Sequence, residues 1–142
     1  MSAKSFLDTN VFVYSFDAGH PRKRDVARRL IAAALEEGTG IISTQVVQEF
    51  LHCALRKFAV PLSGRDAGKY LDTVLEPLCD VFPSAELYHS AIEIGDRWRF
   101  SFYDSLIIAA ALQSGCALLV SEDFQDSQSV QGLSIKNPFR NL

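Results

Sequence analysis

Cysteine is scarce in this chain, and its few copies suit neither a disulfide framework nor a metal site. Cys53, Cys79 and Cys116 are the three in 142 residues. Their number is odd and none stands in a C-x-x-C pair, so they read as reduced, mostly buried thiols. Histidine is equally thin: His20, His52 and His89 lack the spacing of zinc ligands. Long apolar runs are missing as well. The longest uncharged one lies around Leu106 to Leu112, far short of the ~20 residues that span a bilayer. Met1 to Phe6 lacks the apolar core of a signal peptide, and a cytoplasmic location is expected. Repeats, low-complexity tracts and Gly/Ser linkers are absent, so one domain over residues 1–142 is expected. Nor is there a surplus of positive charge: 14 Lys and Arg against 17 Asp and Glu give -3. That excludes a general nucleic-acid coat protein. It leaves nucleic-acid chemistry open, because bound divalent cations cancel several charges if the acids cluster.

What is present is a core-forming composition, 48% apolar and 22% charged, in which strand-like and helix-like segments alternate. Lys4 to Leu7 reads as a first strand, followed by a helical stretch at Val11 to Phe16. Pro21 opens a long helix, with Val26, Leu30 and Ala34 on one face and Gly38 as its stop. Arg22, Lys23, Arg24, Arg28 and Arg29 line its outer side, as a solvated face or as a phosphate-steering or docking patch. Gly40 to Ser43 is a second strand, and Thr44 is placed to cap the next helix. There Val47, Phe50, Leu51, Ala54, Leu55 and Phe58 form a buried stripe.

Pro61 breaks that pattern. Ser63 with Asp66 then forms a capping box for a helix to about Glu76. Leu78 to Phe82 is a third strand. Ser84 starts a helix whose inner residues are Leu87, Ala91, Ile92 and Trp98. Ser101 and Asp104 are spaced as another capping box, before the most apolar helix, Ser105 to Leu112. Cys116 to Val120 is a near-continuous apolar strand leading into Ser121-Glu122-Asp123, and Leu133 to Ile135 is the last strand. This alternation predicts an α/β fold: a parallel sheet of four to five strands, right-handed crossovers, and helices on both faces.

Four acids share a property in that frame. Asp8, Glu49, Asp104 and Asp123 each fall at the carboxyl end of a strand or in the first turns of a helix. In a doubly wound sheet those positions collect on one edge, near the crevice where strand order reverses. Each acid alone has a structural explanation as a cap or a dipole partner. Four on one edge, with no basic partners, repel one another and raise each other's pKa values. A bound cation relieves that repulsion, and all-oxygen ligands favour Mg²⁺ or Mn²⁺. Such a site holds one or two ions that activate water against a phosphodiester.

The matching segments are Phe6-Leu7-Asp8-Thr9-Asn10-Val11, Val46-Val47-Gln48-Glu49-Phe50, Tyr103-Asp104-Ser105-Leu106-Ile107 and Leu118-Leu119-Val120-Ser121-Glu122-Asp123. In these the chain resembles PIN-domain ribonucleases, in particular the VapC-like toxins of toxin–antitoxin pairs, over nearly its whole length. The resemblance implies a metal-dependent endoribonuclease with Asp8, Glu49 and Asp104 as core acids and Asp123 as the more variable fourth. Asn10 and Ser121 would orient ligands or water. It also implies a homodimer and a cognate antitoxin that covers the acidic crevice. Glu122 and Asp126 flank Asp123, so which of the three completes the site stays open.

Two other readings compete. A receiver-like signalling domain needs adjacent acids after the first strand, whereas Asp8 stands alone. A catalytically silent RNA- or protein-binding module on the same fold has no need of four retained acids, because RNA phosphates prefer cations. A PIN nuclease with a role in RNA processing outside a toxin pair is a further alternative.

Overall fold

The structure, a computed structural model, describes residues 3–142. The elements run β1 (Ser5–Leu7), α1 (Thr9–Tyr14), α2 (Pro21–Glu37), β2 (Gly40–Ser43), α3 (Thr44–Arg56) and α4 (Gly64–Tyr70). A π-helical turn over Leu71–Leu75 leads to the single turn α5 (Glu76–Leu78). Then come β3 (Cys79–Val81), α6 (Ala85–Trp98), α7 (Phe102–Gln113), β4 (Leu118–Val120), β5 (Ser129–Val130) and β6 (Leu133–Lys136).

The sheet has six strands in the order β3-β2-β1-β4-β6-β5, one more than the upper expectation. Every pairing is parallel except β5 with β6. The added strand is two residues long and turns through Gln131 and Gly132, both at positive φ. That is the primed two-residue turn whose twist suits a hairpin. A two-residue strand carries no alternation in the sequence that would mark it.

Burial shows how the sheet is covered. Neighbouring side chains on a strand point to opposite faces. Phe6 and Leu7 of β1 are both buried, as are Leu119 and Val120 of β4, so both faces of the sheet centre are packed. In β6 burial alternates, with Leu133 and Ile135 inside and Ser134 and Lys136 outside, so one face is open near that edge.

The helices follow their apolar faces with some corrections. In α2 the deepest residues are Ala27, Ile31 and Ala34, while Val26 and Leu30 are half-buried. Gly38 ends it in the left-handed conformation at φ 66°. A side chain at Gly40 would overlap the methyl of Ala34, so glycine there sets how closely α2 approaches β2. The stripe of α3 holds at Phe50 and Ala54, but Leu55 is exposed. Its N-cap is Ser43 and not Thr44; the Thr44 hydroxyl donates to the Val81 carbonyl instead. Phe50 packs with Phe12 and Tyr70, joining α3 to α1 and α4, and with Phe16 and Phe58 just beyond α1 and α3.

The helix begun by Ser63 does not run evenly to Glu76. Its π turn lies just before Pro77, which has no N–H to give and whose ring crowds the carbonyl four residues back. The third strand is shorter than expected, leaving Phe82 exposed beyond its end. Ile92 of α6 is 58% exposed, and Ile94 takes the inward position.

Candidate active site

Strand order reverses between β1 and β4, which are adjacent although far apart in sequence. Their carboxyl ends form the kind of crevice where open α/β sheets place chemistry. Asp8 follows β1 directly and Ser121 follows β4. The Asp8 amide donates to the Val120 carbonyl at 3.0 Å, tying the two strand ends together.

Asp8 is buried, at 4% exposure. It caps α1 by accepting the Thr9 N–H on Oδ1 at 2.7 Å. Its Oδ2 accepts the Ser121 hydroxyl at 2.6 Å. The same Ser121 Oγ accepts the Asp123 N–H at 3.1 Å, so one fully buried hydroxyl sets both acids. Burial raises the Asp8 carboxyl from an ordinary 3.8 to about 7. The Ser121 and Thr9 bonds oppose that rise, and the charges of Asp123 and Glu49 add to it. The capping role is real, but a cap at a helix end in water keeps a low pKa, and this one does not.

Glu49 reaches the crevice from α3 and accepts the Thr9 hydroxyl on Oε1 at 3.1 Å. It is open to solvent on one side and close-packed on the other. That one-sided packing raises its carboxyl, with Asp123 and Asp104 contributing charge. Asp123 is likewise raised, first by partial burial and then by Asp104 and Glu122. Asp104 sits in the first turn of α7. Its N–H donates to the Ser101 hydroxyl at 3.2 Å, but among the described residues the return bond, from the Ser101 N–H to its carboxylate, is absent. Half of the expected capping box forms, and the Asp104 carboxylate is left to face the other acids. Asp8, Glu49, Asp104 and Asp123 are therefore close enough to feel one another's charge. None of them forms a salt bridge among the described residues.

The two flanking acids behave differently. Glu122 accepts the Tyr14 hydroxyl at 2.8 Å and the Lys23 ammonium at 3.2 Å. Asp126 accepts the Asn137 N–H and the Arg140 guanidinium, each at 2.8 Å, and its carboxyl is held below the usual range. Of the three candidates for the fourth acid, only Asp123 turns its charge toward the other three.

Three observations bear on whether these residues suit a hard dication. The donors are all oxygen, the ligand class that Mg²⁺ and Mn²⁺ prefer. No cationic side chain among the described residues forms a salt bridge with them. Asn10, two residues past Asp8, has both ends of its amide buried without a hydrogen-bond partner. It lies near enough to Asp123 to lower that carboxyl's pKa, although no bond of standard geometry joins the two. Among the described residues no three Asp, Glu, His or Cys side chains already stand in position to hold an ion. The donor chemistry fits, although the carboxylates are not drawn together into a coordination shell.

Thr9 and the Tyr14–Lys23–Glu122 cluster were not singled out from the sequence. Thr9 adjoins Asp8, and that adjacency was the available signal. Nothing in sequence spacing links Lys23 to Glu122. The basic helix face divides: Lys23 is tied to Glu122 and Arg28 donates to the Ser15 carbonyl, whereas Arg22 and Arg29 are exposed.

A reversing parallel sheet with acids gathered at its switch point is the arrangement of a PIN domain. The sequence pattern of that domain matches residues 5–127, and the chain belongs to the PIN-domain family. It is similar to Ribonuclease VapC7 of Mycobacterium tuberculosis, with 31% identity over 127 residues covering 82% of this chain and 80% of that one. Its fold is shared by a toxin–antitoxin complex from Klebsiella pneumoniae, at TM-score 0.69 and 15% identity over 96% of this chain and 98% of the other. VapBC2 from Rickettsia felis gives TM-score 0.66 and 22% identity, covering 94% and 97%. VapC20 of Mycobacterium tuberculosis gives 0.62 and 23%, covering 82% and 87%. No helix among the described residues is long and apolar enough to cross a membrane.

Proposed function

We propose that this protein is a Mg²⁺-dependent endoribonuclease, with Mn²⁺ a possible substitute, and the toxin of a toxin–antitoxin pair working in the cytoplasm. The observation that carries the reading is the set of four acids at the β1/β4 switch, without cationic partners among the described residues, one of them buried with its carboxyl raised to about 7. Membership of the PIN-domain family and similarity to a VapC ribonuclease support it. Neighbours in fold solved as toxin–antitoxin assemblies support a cognate antitoxin as partner. A homodimer is part of the same proposal.

Asp8 and Asp104 would hold the metal directly. A hard dication, when bound, supplies the charge that activates water and stabilises a leaving oxygen. Glu49 and Asp123 would hold a second ion or orient the water that attacks an RNA phosphodiester. Ser121 and Thr9 fix the carboxylates by hydrogen bonds, and the free amide of Asn10 is available to a ligand or to that water. With charge stabilisation supplied in this way, no histidine is required.

The test is cleavage of a mixed RNA substrate by the purified protein with Mg²⁺, and again after EDTA. Cleavage that starts with Mg²⁺ and stops with the chelator is expected. Equal cleavage under both conditions, or none under either, overturns the proposal.

A further inference from the structure

The loop that carries Asp123 is held mainly by side chains. From Glu122 to Asp126 no backbone N–H donates to a backbone carbonyl among the described residues. The nearest such donors are Ser121, to the Lys136 carbonyl, and Ser127, to the Ile135 carbonyl, each at 3.0 Å. Between them Phe124 is buried and meets Phe100 edge-on, with ring centroids 5.5 Å apart. Glu122 is fixed twice. Its Oε1 accepts the Tyr14 hydroxyl at 2.8 Å and its Oε2 accepts the Lys23 ammonium at 3.2 Å. Lys23 also donates to the Tyr14 oxygen at 3.2 Å, which closes a triangle. The Lys23 and Glu122 side chains are only 20% and 31% exposed, and the Tyr14 ring leans on buried Phe139 at 4.7 Å between centroids. Three mutual bonds in a shielded place restrain a side chain more than the isolated surface pairs that contribute little.

Tyr14 ends α1, the six-residue helix whose N-cap is Asp8. At ~1.5 Å per residue that helix is about 9 Å long. One short rod thus bears Asp8 at one end and the anchor of Glu122 at the other. Asp123 follows Glu122 directly, and its N–H is bound to the Ser121 hydroxyl that also holds Asp8. We infer that Tyr14 and Lys23 are positioning residues, which through Glu122 fix the peptide that presents Asp123 to the metal. The inference rests on the metal-dependent nuclease proposal and deepens it. Lys23 has a second effect. Its charge cancels that of Glu122 next to Asp123, so the anchor adds no net repulsion to the acids. Removing the ammonium leaves Glu122 a half-buried charge without its partner, which is costly. Swinging to water relieves that cost and takes the loop with it.

The experiment uses the whole protein and two variants. Lys23→Met keeps the stem and loses the ammonium; Tyr14→Phe keeps the ring on Phe139 and loses the hydroxyl. Circular dichroism checks the fold of each. Mn²⁺ affinity is read by electron paramagnetic resonance without RNA, and exchange of the Asp123 amide by NMR without metal. Lys23→Met is expected to lose about tenfold in Mn²⁺ affinity and in kcat, the cost of removing a residue that orients a ligand, with KM nearly unchanged. Its Asp123 amide is expected to exchange faster, while the Asp8 amide, bound to Val120, does not. Tyr14→Phe is expected to move the same readouts by less, and Lys23→Arg to restore them. In an Asp123→Asn background Lys23→Met is expected to cost no further Mn²⁺ affinity, because the two changes share one route. Unaltered Mn²⁺ affinity in folded Lys23→Met overturns the inference, as does an additive loss in the double variant. A loss confined to KM overturns it too, and would make Lys23 a phosphate contact. The two proposals fail separately. Weakened Mn²⁺ binding by Lys23→Met, in a protein that cleaves no RNA, removes the nuclease and leaves the positioning role. Mg²⁺-dependent cleavage with unaltered Mn²⁺ affinity in the variant does the reverse.

Discussion

Asp123 and Asp126 lie on one loop, three residues apart, and the fold treats them oppositely. Asp126 receives a backbone N–H and an arginine, and its carboxyl titrates low. Asp123 faces Asp104 and Asp8, has no cation, and titrates high. Glu122, just before them, is absorbed by Tyr14 and Lys23. The same residue chemistry in one loop thus serves two ends: acids that hold the loop are neutralised, and acids that face the crevice are left in need of a positive charge. Private neutralisation is what separates a structural carboxylate from a functional candidate here.

The sharpest way to break the comparison is to remove a charge from each side. Asp8→Asn and Asp104→Asn are expected to reduce Mg²⁺-dependent RNA cleavage by more than the roughly 10–100-fold that loss of a supporting residue costs. Asp126→Asn is expected to stay within about twofold, as at other surface positions. Single-turnover assays on the three purified variants decide it, and an inactive Asp126→Asn beside an active Asp8→Asn would reverse the assignment.

Stability against pH should show opposite signs. The folded chain holds the Asp8 proton up to about 7, the unfolded chain only to 3.8. The associated stability is therefore present below the lower value and is lost as pH rises to the upper one. At about 1.4 kcal/mol per pH unit, the loss is on the order of 4 kcal/mol. Asp126, with a depressed carboxyl, contributes stability at neutral pH that is lost as pH falls below its ordinary range. Urea unfolding of metal-free protein from pH 4 to 8 is expected to show Asp8→Asn more stable than wild type at pH 8 and little different at pH 4. A parallel pair of curves would contradict the raised carboxyl.

Ser121 offers a smaller and more local probe. Its hydroxyl opposes the burial of Asp8, and a hydrogen bond to a charged group contributes ~1.5–3 kcal/mol. Ser121→Ala should move the lower limb of the pH–rate profile upward by about one unit or more, with activity recovered at higher pH. A uniform loss across pH would mean the hydroxyl serves only packing. The smallest effect is expected on the basic helix. Arg22→Glu with Arg29→Glu should weaken RNA binding and flatten its salt dependence by about one slope unit per lost phosphate contact. An unaltered slope would leave those arginines as a solvated face.

Much of this molecule can be read from residue order. The strand at Ser5–Leu7, the helix stop at Gly38 and the apolar strand before Ser121 all follow from local pattern, because burial on both faces and backbone conformation act over a few residues. Positions that failed were those where a neighbour in space overrode the pattern. Ile92 yields the inward place to Ile94, Thr44 turns to the Val81 carbonyl, and Asp104 makes only half of its capping box.

The sequence by itself determined that four carboxylates end strands or begin helices, and hence that they share an edge of a parallel sheet. Tertiary structure alone decided which acids remain charged toward one another. Neutralisation depends on partners distant in the chain, such as Lys23 for Glu122 and Arg140 for Asp126. Electrostatic energy falls off with separation in space, and separation along the chain carries no record of it.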